Sequence, residues 1–365
     1  MPPSTDPPSS PHSPIDRTKI LILGQRRSGK TSIVQVLFND GNPKETFYLE
    51  PTTRIAKFTY EYHRHPARDM GLSWEHLPRR PQPPIAVCFY HLRDRYPGDL
   101  LRLGSAGRHP SHADSPHCTL QDSYQQPIAR LLEFFTTAFG ENPDMPLEVF
   151  VHKSEAFTDD YKIENFRLIH LRVNEELDDI SPEYEQMPLN FHLTSIYDHS
   201  INEAFSKVLH RLIDSLPYLE QLLNVFVANS QASKTFLFDV KSRLYVATDA
   251  SPVDTGTHNL CCDFVKTLTA FGPLYKSVSE SPRRIQECPN SKPLFYPSAA
   301  MSLAPPSMGT TLTYHLITPQ LALLSVLPTL VYESKRGLVE YNVVFFREGV
   351  QEIWQVEKDA RTGQL

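Results

Sequence analysis

The sequence predicts an α/β domain followed by a smaller α+β domain, and three observations carry that reading. The apolar run Lys19-Ile20-Leu21-Ile22-Leu23 meets a glycine-bounded turn and then Ser32-Ile33-Val34-Gln35-Val36-Leu37-Phe38, so strand, loop and helix follow one another without a gap. A second apolar run, Leu147-Glu148-Val149-Phe150-Val151-His152, has the near-continuous character of a buried parallel strand. Beyond Leu216-Pro217 the pattern changes to two alternating runs on either side of Lys241-Ser242, which is a hairpin.

The turn after the first strand, Gly24-Gln25-Arg26-Arg27-Ser28-Gly29-Lys30-Thr31, is a complete G-x-x-x-x-G-K-[ST] phosphate loop in the setting that motif requires. Its two glycines permit a backbone whose N–H groups turn inward on an anion. The helix beginning at Lys30 and Ser32 points its positive end at the same place. Lys30 would reach the terminal phosphates, and the Thr31 hydroxyl would ligate Mg²⁺.

Whole-chain properties narrow the rest. The 365 residues suffice for two domains of ordinary size, each expected to have its own core. A net charge of −6 with a pI near 6.2 argues against nucleic acid as a partner. Five cysteines without a C-x-x-C pair argue for a reducing compartment and against a zinc or disulfide framework. Residues 1–17 form a Pro/Ser-rich tail, expected to be disordered, with no secretory h-region. The stretch Leu321 to Val331 is about half of a membrane span and contains Pro328. Pro2 and a C-terminus without cysteine exclude myristoylation and prenylation, so membrane attachment is expected only through another subunit.

Downstream landmarks stand at the places where a guanine-nucleotide switch carries its own, although Thr52-Thr53 taken alone also reads as a plain strand start. Thr52, in Leu49-Glu50-Pro51-Thr52-Thr53, stands where a switch threonine bonds Mg²⁺ and the γ-phosphate, and Thr53 is the neighbour it must be distinguished from. His152-Lys153-Ser154-Glu155 occupies the place of an N/T-K-x-D element at the end of a buried strand. There Lys153 would pack on the base, and Glu155 replaces the expected aspartate with a carboxylate one methylene further out. Leu189-Asn190-Phe191-His192-Leu193 leads into Thr194-Ser195-Ile196, the place of the last base-contacting loop. Ile201, Phe205, Val208, Leu209 and Leu212 then mark a core-facing helix.

These segments resemble the Rag GTPases, and within them the RagC/RagD-type subunit as found in fungi. The resemblance rests on the Arg26-Arg27-Ser28 filling of the loop, on Glu45-Thr46-Phe47-Tyr48-Leu49-Glu50-Pro51-Thr52, on Asn142-Pro143-Asp144-Met145 and on Val149-Phe150-Val151-His152-Lys153. It continues through Leu193-Thr194-Ser195-Ile196-Tyr197-Asp198-His199-Ser200, Phe236-Leu237-Phe238-Asp239, Leu244 to Asp249, Ser251-Pro252-Val253-Asp254 and Arg336 to Asn342. The fold implied is a Ras-like P-loop GTPase domain with a mixed, mostly parallel sheet over 18–216, then a roadblock/longin-like domain over 217–357 and a tail over 358–365. The resemblance also implies GTP/GDP and Mg²⁺ as ligands and a heterodimer with a RagA/RagB-type GTPase. It further implies signalling of amino-acid sufficiency to the target-of-rapamycin kinase complex on a vacuolar or lysosomal scaffold, with the GDP-bound state active in this subunit type. The site residues it implies are Gly24, Gln25, Arg26, Arg27, Ser28, Gly29, Lys30, Thr31, Ser32, Thr52, His152, Lys153, Glu155, Ser195 and Ile196 for the nucleotide, and Thr31 and Thr52 for the metal.

Residues 62–120 break the pattern. No D-x-x-G is present: Asp69-Met70-Gly71 is one residue short, and Asp94-Arg95-Tyr96-Pro97-Gly98 is one too long. Seven of the fifteen histidines (His63, His65, His76, His91, His109, His112 and His117) crowd here without metal-ligand spacing. Only Ile85 to Tyr90 reads as a strand. The block is expected to be aberrant and poorly ordered, leaving the first strand without neighbours. A frame or splicing artefact and a diverged insertion in a subunit that no longer hydrolyses GTP are the two explanations. No catalytic residue is assigned, and a catalytically inactive structural subunit is the alternative function. A P-loop kinase of small molecules explains the loop but neither the base-site strand nor the second domain.

In the second half the sequence predicts helices over 218–226 and 260–271, strands over 235–240, 243–248, 310–317 and 321–326, and a last helix carrying Leu338, Tyr341, Val344, Phe345, Val350 and Ile353. Residues 277–307 read as a flexible Pro/Ser-rich loop. Cys261 and Cys262 read as one buried and one partly buried position, and Asp249-Ala250-Ser251-Pro252 as a turn.

Overall fold

A computed structural model of the chain describes residues 19–24, 28–50, 58–61, 69–72, 85–91, 116–143, 146–186, 188–275, 297–303 and 309–362. The first sheet joins β1 (Lys19–Gly24), β2 (Phe58–Glu61), β3 (Asp69–Leu72), β4 (Ile85–His91), β5 (Leu147–His152) and β6 (Leu189–Thr194). Their spatial order is β2-β3-β1-β4-β5-β6. Every described pair is parallel except β2 with β3. Parallel strands need crossovers, and among the described residues α2 (Pro116–Glu141) joins β4 to β5 and α3 (Asp159–Ile180) joins β5 to β6; α1 (Lys30–Phe38) follows β1, and α4 (Ser200–His210) follows the last strand.

The expectation that β1 lacks neighbours is overturned. Within the block 62–120, β3 and β4 pair with β1 on either side, and α2 begins at Pro116. Ile85 to Tyr90 does form a strand, as its apolar run suggests, and Asp69–Leu72 adds a second that its composition conceals. β4 pairs with β1 from Ile20 to Gly24 and β3 pairs with it at Lys19 and Ile20, so the start of β1 has a partner on both sides, as a central strand requires.

Helices cover the sheet through evenly spaced apolar positions. Ile128, Leu131, Leu132 and Phe135 of α2 and Ile169, Val173 and Leu177 of α3 pack on Leu147, Val149 and Val151 of β5. Asp159 and Asp160 in the first turn of α3 lie at the positive end of its dipole. At the base of the sheet the buried Glu148 carboxylate accepts hydrogen bonds from Asn190 Nδ2 (3.0 Å) and Arg211 Nε (2.9 Å) on Oε1, and from His192 Nε2 (2.6 Å) on Oε2. That carboxylate ties β5, β6 and the exit of α4 together, and its burial is compensated by three donors.

The second sheet is antiparallel. It contains β7 (Lys234–Asp239), β8 (Tyr245–Thr248), β9 (Ser298–Ser302), β10 (Thr310–Leu316) and β11 (Leu321–Pro328), in the order β8-β7-β11-β10-β9. β9 lies inside the stretch expected to be a loop. Its run of Ser, Ala and Met carries little strand signal and is selected by pairing with β10. Helix α6 (Thr255–Tyr275) packs Cys261, Cys262 and Val265 on Phe236, Phe238, Leu312 and Leu324. Both cysteines are fully buried, so neither is the partly exposed position expected. Burial pushes the Cys261 thiol up to about 12, and burial also holds Cys262 well above its ordinary value. Neither is a nucleophile there. The opposite face carries α5 (Leu216–Ser230) and α7 (Thr329–Thr362), the latter kinked at Lys335.

Asp249 does make a turn, accepting from the amides of Thr235 (2.8 Å) and Ser251 (3.0 Å), and it also pairs with the buried Lys234 ammonium at 3.1 Å. Burial opposes its ionisation, but the bonds from Ser251 and Thr235 and the Lys234 charge outweigh it, so the carboxyl is lowered.

Each domain has an apolar cluster of its own, and a third joins them, running from Ile20, Ile33, Leu37 and Phe38 through Phe205 and Leu209 to Leu223, Leu237, Leu244, Val246, Leu327 and Phe346. Among the described residues no helix is long and apolar enough to cross a membrane.

Three buried histidines make this structure acid-sensitive. Burial lowers His210, His258 and His315 from 6.5 to about 4 each. Between those two values the unfolded chain binds more protons than the folded one, so stability is retained above pH 6.5 and lost as the pH falls toward 4. The expected slope is about 1.4 kcal/mol per pH unit for each histidine. Urea midpoints followed by circular dichroism from pH 7 to pH 5 should fall accordingly, and His315→Gln should remove one proton's share of that slope.

Candidate functional site

The parallel register brings the C-terminal ends of β1, β5 and β6 to one edge of the first sheet. Gly24, His152 and Thr194 close those strands, with His152 directly paired to Thr194 in the β5–β6 ladder. Ligands of open parallel sheets bind at such an edge, because the loops that follow the strands and the helix N-termini converge there.

The phosphate loop leaves β1 at Gly24 (φ 140°) and enters α1 through Gly29 (φ 92°), where the left-handed backbone favours glycine. Gly29 carbonyl accepts the Ile33 amide at 2.9 Å, so the helix starts at once. Ser28 is buried, and the Lys30 ammonium donates to the Gly24 carbonyl (2.9 Å) and Ser28 Oγ (3.1 Å), folding back over the loop. Burial lowers its pKa. Thr31 and Ser32 are half-buried in the first turn of α1, next to the loop. Gln25, Arg26 and Arg27 lie outside the described residues, as do Thr52 and Thr53.

Behind the loop stands the end of β5. His152 is buried, and a Cβ built on Gly29 would sit 2.7 Å from His152 Cδ2 and 3.0 Å from its Nε2, with Lys153 Cε at 3.8 Å. The same imidazole places Nδ1 3.0 Å from Thr194 Oγ1. His152 therefore fills the corner between the phosphate loop and β6, instead of reaching outward. Lys153 adopts a left-handed backbone (φ 66°), Ser154 is buried, and Glu155 is exposed in the short 3₁₀ turn that follows.

The loop after β6 is shaped by its own side chains. The Ser195 amide donates to Ser200 Oγ (2.9 Å), the Tyr197 amide to Ser195 Oγ (3.1 Å), and the Ser200 amide to Asp198 Oδ1 (2.9 Å). Ser195 and Ile196 are buried within it. Asp198 and Ser200 are residues the sequence reading does not single out for the site; the cue is Asp-x-Ser turn chemistry at a helix start.

The near-match to a switch-II motif falls in the wrong place. Gly71 pairs with Lys19 and Leu72 with Ile20, so Asp69-Met70-Gly71 lies toward the β1 end remote from the phosphate loop. Its backbone register keeps it away from the edge where the phosphate loop leaves β1. Asp94 to Gly98 lies outside the described residues.

The donor chemistry fits a polyphosphate and Mg²⁺. Gly29 is pinned so closely that a side chain would displace the loop, Lys30 supplies the cation, and Thr31 supplies one neutral oxygen. Mg²⁺ shared with phosphates asks few ligands of a protein. Among the described residues no three His, Cys, Asp or Glu side chains gather as a metal group.

The Gtr1/RagA G protein conserved region matches residues 19–65 and 117–265. The chain belongs to the Gtr1/RagA G protein family. The match skips the interval that lacks the switch-II motif. Ras-related GTP-binding protein C of Homo sapiens is 36% identical over 347 residues, covering 93% of this chain and 77% of that protein. GTP-binding protein gtr2 of Schizosaccharomyces pombe is 35% identical over 341 residues, covering 92% and 98%. GTP-binding protein GTR2 of Saccharomyces cerevisiae is 30% identical, covering 93% of each chain. The chain is thus a P-loop, GTP-binding member of the Rag/Gtr type.

The fit of His152 against Gly29 yields a direct expectation. Gly29→Ala should cut GDP retention at least tenfold, because the left-handed backbone and the imidazole leave no room for a methyl group. Fluorescent-GDP titration checks it, with circular dichroism confirming that the fold persists.

Proposed function

We propose that this chain is the guanine-nucleotide switch subunit of a Rag-type heterodimer, binding GTP and GDP and hydrolysing GTP slowly. The observation that carries the reading is the corner where Gly29, His152 and Thr194 join phosphate loop, base strand and base loop. In it the loop amides and Lys30 grip the phosphates, Lys153 lies along the base, and Glu155 with the Ser195–Ile196 loop reads its edge. Thr31 and Thr52 would hold Mg²⁺, which when bound offsets charge on the β- and γ-phosphates. Hydrolysis is in-line attack of water on the γ-phosphate, leaving GDP and phosphate.

Family membership supports the remaining assignments. The antiparallel sheet, with α6 on one face and α5 and α7 on the other, is the basis for reading residues 217–357 as a roadblock/longin-like domain that pairs with a RagA/RagB-type GTPase. The assembly would relay amino-acid sufficiency to the target-of-rapamycin kinase complex at the vacuolar or lysosomal surface, held there by a scaffold complex. The second reading, a structural subunit without a working switch, is favoured by one observation: Asp69-Met70-Gly71 is remote from the phosphate loop.

Calorimetry of the partnered protein against GDP, GTP, ADP and xanthosine diphosphate, with and without Mg²⁺, tests the switch reading. Guanine selectivity and Mg²⁺-dependent GTP binding are expected, and absence of nucleotide binding would overturn it. Single-turnover GTP hydrolysis separates the switch from the structural subunit. Glu155→Asp, which shortens the reach of the carboxylate to the guanine edge, should tighten GDP by about tenfold, the effect of roughly 1.4 kcal/mol.

A further inference from the structure

In the corner of Gly29, His152 and Thr194, His152 is the group whose charge changes near neutral pH. The N/T-K-x-D element carries an amide or a hydroxyl at that place, and neither titrates there. The imidazole is fully buried, with Nδ1 3.0 Å from Thr194 Oγ1 and its Cδ2–Nε2 edge against Gly29. Thr194 is buried too, and its hydroxyl turns to suit, donating to a bare Nδ1 or accepting from Nδ1–H. The contact therefore survives either state of the ring. What protonation changes is charge, and charge is what a bound nucleotide alters.

Cations surround this corner. The Lys30 ammonium folds over the Gly24 carbonyl and Ser28 Oγ, and Lys153 Cε stands 3.8 Å from the same Cβ position on Gly29 that meets the imidazole. The loop also carries Arg26 and Arg27, and the first turn of α1 carries no acid. On the β4 side, His91 is the register partner of His152. On the β6 side stands Thr194; beyond it the Asp198 carboxylate accepts the Ser200 amide, and His199 meets Asp263 of α6. Glu155 lies exposed in the turn after Lys153. Without a ligand, these lysines and arginines oppose a further positive charge on the ring. A nucleoside diphosphate seated on the loop brings several negative charges to the same glycine, and opposition gives way to attraction.

We propose that His152 links nucleotide retention to proton concentration: a bound nucleoside diphosphate favours the imidazolium, and the imidazolium in turn holds the diphosphate more firmly. Linkage between two ligands, here a proton and a nucleotide, is reciprocal. The inference rests on the reading of this corner as a guanine-nucleotide site. His152 is then a positioning residue whose charge reaches the phosphates through the loop. Retention should strengthen as the pH falls from about 8 to about 6, the range in which an imidazole gains its proton.

Release of a fluorescent GDP analogue from the full-length chain, with its partner subunit and Mg²⁺, reads the linkage. Over that range release from the wild type should slow by about tenfold, the effect of one unit of difference in the ring's proton affinity. His152→Asn installs the amide of the motif and, whatever its affinity, should follow only the titration of the phosphates. The difference between the two pH profiles is the readout, and a purely structural contact would leave none. Calorimetry of the wild type alone, in two buffers of different ionisation enthalpy, should show net proton uptake on GDP binding, because phosphates entering a cationic site only give protons up. That measurement decides the matter by itself should the variant fail to fold. If the profiles coincide, or if GDP binding takes up no proton, the linkage is overturned and the nucleotide reading stands. If acid speeds release from the wild type relative to the variant, the linkage is overturned by its sign. If the wild type retains no nucleotide at any pH, the reading of the corner falls and the linkage with it.

Discussion

The close approach of an imidazole to a glycine governs the whole molecule. His152 can stand against Gly29 only because β1, β4 and β5 keep a continuous parallel register that brings Gly24 and His152 to the same edge. A shift of one residue in either pairing would turn each side chain to the opposite face of the sheet, removing His152 from the corner and Ile22 and Val149 from their cores. The apolar content of those strands holds the register, and the register in turn builds the site. Thr194 completes the arrangement from β6, so three strands that are distant in sequence meet on one ring.

The shared apolar cluster gives the second domain a stake in that ring. Side chains of α1 and α4 pack in the same cluster as Leu244, Val246 and Leu237, across the boundary at Leu216-Pro217. Interiors are close-packed, so displacements of α4 are transmitted to what it touches instead of being absorbed. Polar contacts then give the packed surface its direction. Along α4, Asn202, Ser206 and His210 meet fixed backbone groups of the edge strand β8 and the turn before it, which apolar contact alone would not specify.

Much of this was legible from residues, and the parts that were not share a cause. Local signals sufficed for the phosphate loop, for β5 with its unbroken apolar run, for the β7–β8 hairpin and for the amphipathic α4. Strand β9 was missed because Ser298–Ser302 has little intrinsic preference and is held by its partner. Asp69–Leu72 was missed for the same reason, since β1 and β2 recruit it. His152 was recognised as part of the site, but its role was not, because that depends on the approach of Gly29 across more than a hundred residues. The joint between domains was equally hidden: a polar stripe on an amphipathic helix reads as a solvated face until an edge strand is found against it.

The Glu148 cluster bears on how the first sheet ends. Asn190 and His192 belong to β6, the outermost described strand on that side, and both turn their polar ends inward to a buried carboxylate. A margin stitched in this way makes a poor template for cross-β accretion, because an incoming chain meets side chains already committed to the interior. At β8 the α4 ladder serves the same end. Of the margins described, that of β9 carries only small and flexible side chains and no such safeguard, so when the chain is over-produced without a companion, self-association should begin there.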